Sequence, residues 1–205
     1  MLVPVKSFAD AKARLMSVLS AVEREQLARF TAGRVIAAAG ALPVYIACDD
    51  EIVAEWAHQH GAEVLWRPGV GLDAAVNEGI DELRTLGVRH VVVAHGDLPC
   101  ARNLADVITD GVITLVPDTN DDGTNVGAVP TELPDGRTFR FAYGAGSFRR
   151  HLALALSLDI PVCVRRDPLL ALDIDTPSDL SHPLVQEVLT TWLRTNQVNL
   201  ITAER

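Results

Sequence analysis

The chain has 205 residues and is 48 % hydrophobic, enough for one sizeable core and too apolar for a disordered segment. Its net charge of −9 argues against binding nucleic acid or acidic membranes, which attract basic faces. No apolar run approaches the roughly 20 residues that span a bilayer, and no export signal opens the chain, so a cytoplasmic protein with neither nucleic acid nor membrane as partner is expected.

Strand-like and helix-like segments alternate along a single expected domain, residues 1–205. Residues 2–5 read as a short strand. Helical sequence runs from about Asp10, with a fresh start at Ser20, where Ser20 and Glu23 match a capping box. That helix continues through Leu27, Phe30, Val35 and Ala38 to Gly40. Strands are predicted at 44–48, 62–66, 90–95 and 112–116, with helices at 52–60, 72–86 and a short one at 103–109. Asp49 or Asp50 caps the helix at 52–60. Short connections between such elements predict parallel βαβ units, and continuous apolar strands predict a sheet covered on both faces. The expected fold is an α/β/α sandwich of three layers around a mostly parallel sheet. After Pro117 the spacing predicts two strands at 126–129 and 138–143 joined by a Pro134-Asp135-Gly136 turn. A helix at 147–158, a strand at 162–165, a strong helix start at Thr176-Pro177 and a terminal helix at 183–194 follow. Cys48, Cys100 and Cys163 lack metal or redox spacing and read as buried small apolar residues.

Four segments carry chemistry. Lys6, Lys12 and Arg14 follow the first strand, and Lys6 and Lys12 are the only lysines of the chain. Ligands of open α/β sheets bind at the carboxyl ends of strands, so this loop is placed to hold a triphosphate, or else is a solvated first turn. It matches neither a P-loop nor a dinucleotide fingerprint. Asp97, in His95-Gly96-Asp97-Leu98-Pro99, ends a central strand and either points into the ligand crevice or makes a turn. Asp173 and Asp175 alternate in Leu172-Asp173-Ile174-Asp175-Thr176-Pro177, and alternate residues of an extended chain share a face. Beside Asp97 they suggest a Mg²⁺–phosphate site. Lastly, Asp121-Asp122-Gly123-Thr124-Asn125 and the stretch 143–151 offer glycines, hydroxyls and a helix start suited to an anionic group.

Taken in order, Pro4-Val5-Lys6, Ala11-Lys12-Ala13-Arg14-Leu15, Glu23-Arg24, Gly96-Asp97-Leu98-Pro99, Gly123-Thr124-Asn125, Tyr143-Gly144 through Ser147-Phe148, His151 and Asp173-Ile174-Asp175-Thr176-Pro177 span residues 3–180. This ordered set resembles the 2-phospho-L-lactate guanylyltransferase family, which includes phosphoenolpyruvate guanylyltransferases of deazaflavin coenzyme F-420 biosynthesis. The resemblance implies a nucleotidyltransferase fold like that of molybdenum-cofactor guanylyltransferases; independently of it, a monomer or homodimer is expected. It implies Mg²⁺, two ions with GTP bound, at Asp97, Asp173 and Asp175. Lys6, Lys12 and Arg14 would surround the GTP phosphates, with Asp73 near the nucleotide. Thr124, Asn125, Gly144, Ser147 and His151 would hold a small phosphorylated acid: phosphoenolpyruvate, 2-phospho-L-lactate or 3-phosphoglycerate. Asp73 stands where the family usually has Asn, and Asp122 where it has Gly. Two alternatives are a related transferase for a sugar phosphate or molybdenum cofactor, and a non-catalytic nucleotide-binding regulatory protein. The first loop lacks the Gly-rich, Arg-containing pattern of the former.

Overall fold

A computed structural model describes residues 1–196. Seven strands form one sheet: β1 (Leu2–Pro4), β2 (Tyr45–Cys48), β3 (Glu63–Trp66), β4 (His90–Ala94), β5 (Ile113–Pro117), β6 (Thr124–Pro130) and β7 (Val162–Val164). Their order across the sheet is β3-β2-β1-β4-β6-β5-β7. Six strands run the same way, as the alternating pattern predicts. Only β6 is reversed, antiparallel to both β4 and β5. It follows β5 through a tight turn in which the Asp118 carboxylate accepts backbone N–H groups from Asn120, Asp122 and Gly123.

The helices are α1 (Ala21–Ala38), α2 (Glu51–Gln59), α3 (Gly71–Thr85), α4 (Ser147–Leu156), α5 (Pro177–Leu180) and α6 (Pro183–Asn196). The Ser20–Glu23 capping box is present, and Asp50, not Asp49, caps α2 by accepting from Ile52 and Val53 N–H. Strand alternation sorts the core into two layers. Val3, Ile46, Val92 and Ala94 pack with Ala32 and Val35 of α1 and Val53 and Trp56 of α2. Leu2, Ala47, Val91 and Val93 pack with Val76, Ile80 and Leu83 of α3 and Phe148 of α4. A third cluster joins Leu15, Leu27, Leu172, Ile174, Val185 and Leu189, fixing α6 and the 172–174 segment to α1. Cys48 and Cys100 are buried, whereas Cys163 lies exposed on the edge strand β7. No helix among the described residues is long and apolar enough to cross a membrane.

The exposure of Cys163 corrects the expectation that all three cysteines are buried, and two secondary-structure expectations are corrected as well. Residues 138–143 form no strand. Their backbone groups are satisfied by α3 side chains instead: Asn77 Nδ2 donates to the Phe141 carbonyl at 2.8 Å, and Asn77 Oδ1 accepts from Phe141 N–H at 2.9 Å. Phe139 and Phe141 are thereby drawn into the core rather than alternating across a sheet. The fit is close, because a Cβ at Gly127 of β6 would sit 2.6 Å from the Phe141 ring. Gly127→Ala should therefore destabilise the protein by ~1–3 kcal/mol through overpacking; a urea-unfolding midpoint equal to wild type would refute that packing. The helix expected from Asp10 is also absent. A 3-10 turn, Ala13–Leu15, follows Lys12, whose φ of 57° lies in the left-handed region and ends any helical run.

Candidate active site

The left-handed backbone at Lys12 turns its side chain inward, beneath the carboxyl ends of the strands. Its Nζ lies 2.9 Å from Asp97 Oδ2 and 3.2 Å from Asp175 Oδ1, with only 7 % of the side chain exposed. Arg14 stands outside, 75 % exposed, its Nη1 3.6 Å from Asp175 Oδ2. Lys6 is exposed at the end of β1. Of the three basic residues, Lys12 and Arg14 thus meet the acids directly.

Asp97 follows β4 and Gly96, where the chain leaves the sheet. Asp173 and Asp175 alternate with Leu172 and Ile174, whose burial in the third cluster turns the two carboxylates together towards Asp97. Ile174 N–H also donates to the Asp97 carbonyl at 3.2 Å, locking the two segments. Carboxylate oxygens of Asp97, Asp173 and Asp175 all lie within 4.8 Å of one another. Asp97 Oδ1 is buried without a hydrogen-bond partner, which is costly for an anionic oxygen. Three hard oxygen donors around such an atom suit a small divalent cation such as Mg²⁺. Burial, then the neighbouring Asp97 and Asp175 charges, push the Asp173 carboxyl up to about 7. Burial opposes ionisation of Asp97 too, but the Lys12 charge outweighs it and holds that carboxyl below its ordinary value. The site therefore carries more negative charge than Lys12 alone neutralises, and a cation would relieve the excess.

Asn125 of β6 braces the acidic segment. Its Nδ2 donates to the carbonyls of Leu170 at 3.1 Å and Ala171 at 3.0 Å, and lies 3.4 Å from Asp173 Oδ1. It is buried with its donors in use, so the structure gives it a supporting place rather than one open to a ligand. His151 is likewise buried. Its Nε2 accepts from Ala142 N–H at 2.8 Å, which leaves the proton on Nδ1 to donate to Thr124 Oγ1 at 2.9 Å. His151 thus joins α4 to β6 as a neutral imidazole. Thr124 and Ser147 are buried beside it, and Gly144 is exposed on the loop that enters α4. Burial, then Arg150, lower the His151 pKa to about 4 from 6.5. As pH falls from 6.5 towards 4, the unfolded chain takes up a proton that the folded chain refuses. Stability should fall over that window by up to about 3 kcal/mol. His151→Gln should flatten this pH slope in urea titrations; an unchanged slope would contradict the buried neutral imidazole.

The two unusual acids have structural partners. Asp73, in the first turn of α3, accepts Tyr143 N–H at 2.9 Å, and Asp122 accepts Gly146 N–H at 3.0 Å. Together they tie the 143–146 loop to α3 and to the turn before β6. The sequence offered a signal for the first tie, since Asp73 and Asn77 are one helical turn apart and face the same loop. It gave none for the bracing role of Asn125. His95 was also missed as part of the site: its ring meets Tyr143 edge-on at 4.8 Å and its Nε2 is buried without a partner.

Comparison with known proteins places the fold. Similar solved structures include a putative nucleotide-diphospho-sugar transferase from Desulfovibrio desulfuricans, with a TM-score of 0.69, 15 % identity and 93 % of each chain covered. Another is a nucleotidyl transferase from Methanothermobacter thermautotrophicus, with a TM-score of 0.62, 16 % identity, and 93 % of this chain and 99 % of that one covered. These likenesses show the fold, and family and relatives make the chain a nucleotidyltransferase enzyme. The chain belongs to the guanylyl transferase CofC-like family, whose model matches residues 1–189. A phosphoenolpyruvate guanylyltransferase from Sphaerobacter thermophilus is 36 % identical over 189 residues, covering 88 % of this chain and 89 % of that protein. A 2-phospho-L-lactate guanylyltransferase from Methanothermobacter thermautotrophicus is 30 % identical over 192 residues, covering 88 % and 82 %.

Proposed function

We propose that the protein transfers GMP from GTP to the phosphate of a small three-carbon acid, phosphoenolpyruvate in the first instance, releasing pyrophosphate, as a step towards coenzyme F-420. The observation that carries this reading is the convergence of Asp97, Asp173 and Asp175 on one point beside a buried Lys12. Family membership supplies the transferred group, and relatives named for phosphoenolpyruvate supply the first acceptor to test.

Asp97, Asp173 and Asp175 would hold Mg²⁺, which when bound supplies positive charge at the triphosphate. Lys6 and Arg14 bind the outer phosphates, and Lys12 moves from its acids to neutralise charge on the reacting phosphate. The acceptor lies over the 143–147 loop, where Gly144 permits close approach and Thr124 and Ser147 line the base of the site. An oxygen of its phosphate, already anionic at neutral pH, attacks the α-phosphorus in line; the bond from that phosphorus to the pyrophosphate oxygen breaks. No general base is required, so positioning and charge neutralisation carry the rate. Asp73 and Asp122 orient the acceptor loop through its backbone.

Pyrophosphate release from GTP and Mg²⁺, measured with phosphoenolpyruvate, 2-phospho-L-lactate and 3-phosphoglycerate separately, tests the reading. Release is expected with one acid strongly and with GTP alone not at all. GTP binding with silence across all three acids would instead favour a different acceptor or a protein without this chemistry.

A further inference from the structure

Arg150 reaches back from α4 to the loop that enters its own helix. Its Nη2 donates to the carbonyls of Ala142 at 3.0 Å, Tyr143 at 2.8 Å and, more weakly, Gly144 at 3.4 Å, while Nη1 donates to Ala145 at 2.5 Å. It forms no ion pair with any carboxylate among the described residues, so these neutral carbonyls are its partners. Left-handed backbone at Gly144 and Gly146, with φ of 97° and 71°, lets successive carbonyls turn to one side. In a planar trans peptide the N–H points opposite to the C=O, so the N–H groups of residues 143–146 face away from Arg150. Tyr143 N–H ends on Asp73 and Gly146 N–H on Asp122, each a carboxylate from another segment. Between them, Gly144 and Ala145 N–H meet no acceptor among the described residues. One side of the loop is taken up by a fixed cation, and the other presents two free donors between two anchored ones.

Resting on the acceptor reading above, we infer that Arg150 is the positioning residue of the acceptor loop, setting its backbone so that Gly144 and Ala145 N–H aim together at one anionic group of the acceptor. Two adjacent amides suit two oxygens of one such group. A loop with two glycines is costly to order, because glycine loses more backbone freedom than any other residue. Arg150 orders it before the acceptor arrives, so less of the binding energy is lost to ordering. Its own charge stays on the carbonyl side, away from the acceptor. Lysine is a poor substitute, since an ammonium is a point charge, whereas the planar guanidinium spans several carbonyls from a rigid fork.

The test compares wild type, Arg150→Gln and Arg150→Lys in two ways: pyrophosphate release with GTP, Mg²⁺ and phosphoenolpyruvate, and amide hydrogen exchange without any substrate. Arg150→Gln should raise KM for phosphoenolpyruvate by about 10-fold or more, with KM for GTP and kcat each within about threefold of wild type. Arg150→Lys should behave like Arg150→Gln; a wild-type KM in Arg150→Lys would mean that charge alone acts, and would overturn the assignment. In exchange, Tyr143 and Gly146 N–H should lose protection in Arg150→Gln while the strands keep theirs, which also shows that the variant is folded. Unchanged exchange in the loop would overturn the assignment, as would equal rises in both KM values, or faster loop exchange with an unchanged KM for phosphoenolpyruvate. The exchange arm separates this inference from the acceptor reading: silence of wild type with phosphoenolpyruvate counts against that acceptor, while the dependence of the loop on Arg150 is still decided by exchange.

Discussion

Asp97→Asn should lower turnover by at least 10²–10³-fold while the protein stays folded. Asn fills the same space but withdraws a full charge from the point where Asp173 and Asp175 converge, and Asp97 Oδ1 is the buried oxygen with no partner in the chain. Removing one preorganised electrostatic contact of this kind costs about 3–4 kcal/mol of transition-state stabilisation, which is the stated loss in rate. The fold should persist because Asp97 is anchored through its backbone, with its carbonyl accepting Ile174 N–H, and because Leu98 beside it stays buried. Circular dichroism and the urea midpoint check the fold, and steady-state pyrophosphate release checks the rate. Full activity in a folded Asp97→Asn protein would remove Asp97 from the chemistry.

The second large effect is expected at Lys12, and it has two parts. Without a bound cation, Lys12 is the counter-charge for Asp97 and Asp175. Burial disfavours its charge, yet the two carboxylates outweigh this and raise its pKa, so it is a firm cation. Lys12→Met leaves those acids facing Asp173 with nothing between them. A fully buried pair broken in this way costs about 3–5 kcal/mol; with Asp175 partly in solvent, about 2 kcal/mol is expected here. Mg²⁺ should restore part of that loss, and should raise the unfolding midpoint of Lys12→Met more than that of wild type, because binding to the folded state alone is stabilising. Turnover should nevertheless stay about 100-fold or more below wild type even with saturating Mg²⁺, since the reacting phosphate lacks its lysine. Equal Mg²⁺ shifts in the two proteins would show that Lys12 and the cation do not share the acids.

The legible parts of the fold were those set by local chemistry. The capping boxes at Ser20 and Thr176, the apolar strands and the alternation of Asp173 and Asp175 between Leu172 and Ile174 each rest on neighbours in sequence. The reversed β6 and the missing strand at 138–143 rest on distant partners instead. Val126 to Val129 looks the same in either direction, and Phe139 and Phe141 alternate as a strand would; only Asn77, from another element, decides that their backbone groups pair with a helix. The site divides in the same way. The convergence of Asp97, Asp173 and Asp175 was readable because Asp97 ends a central strand and Asp173 and Asp175 alternate on one face of an extended segment. The inward turn of Lys12 was not, since a left-handed lysine leaves no mark in composition or period. Thr124, Asn125 and His151 looked like ligand donors by type, whereas folding spends the donors of Asn125 and His151 on carbonyls and on Thr124.

The most direct test of guanylyl transfer at this site uses phosphoenolpyruvate labelled with ¹⁸O at the non-bridging oxygens of its phosphate. Incubated with GTP, Mg²⁺ and the enzyme, and resolved by mass spectrometry, it should give a GMP adduct that retains every labelled oxygen, together with unlabelled pyrophosphate. Label in the released pyrophosphate, or GDP as the nucleotide product, would place the attack on another phosphorus and contradict the account.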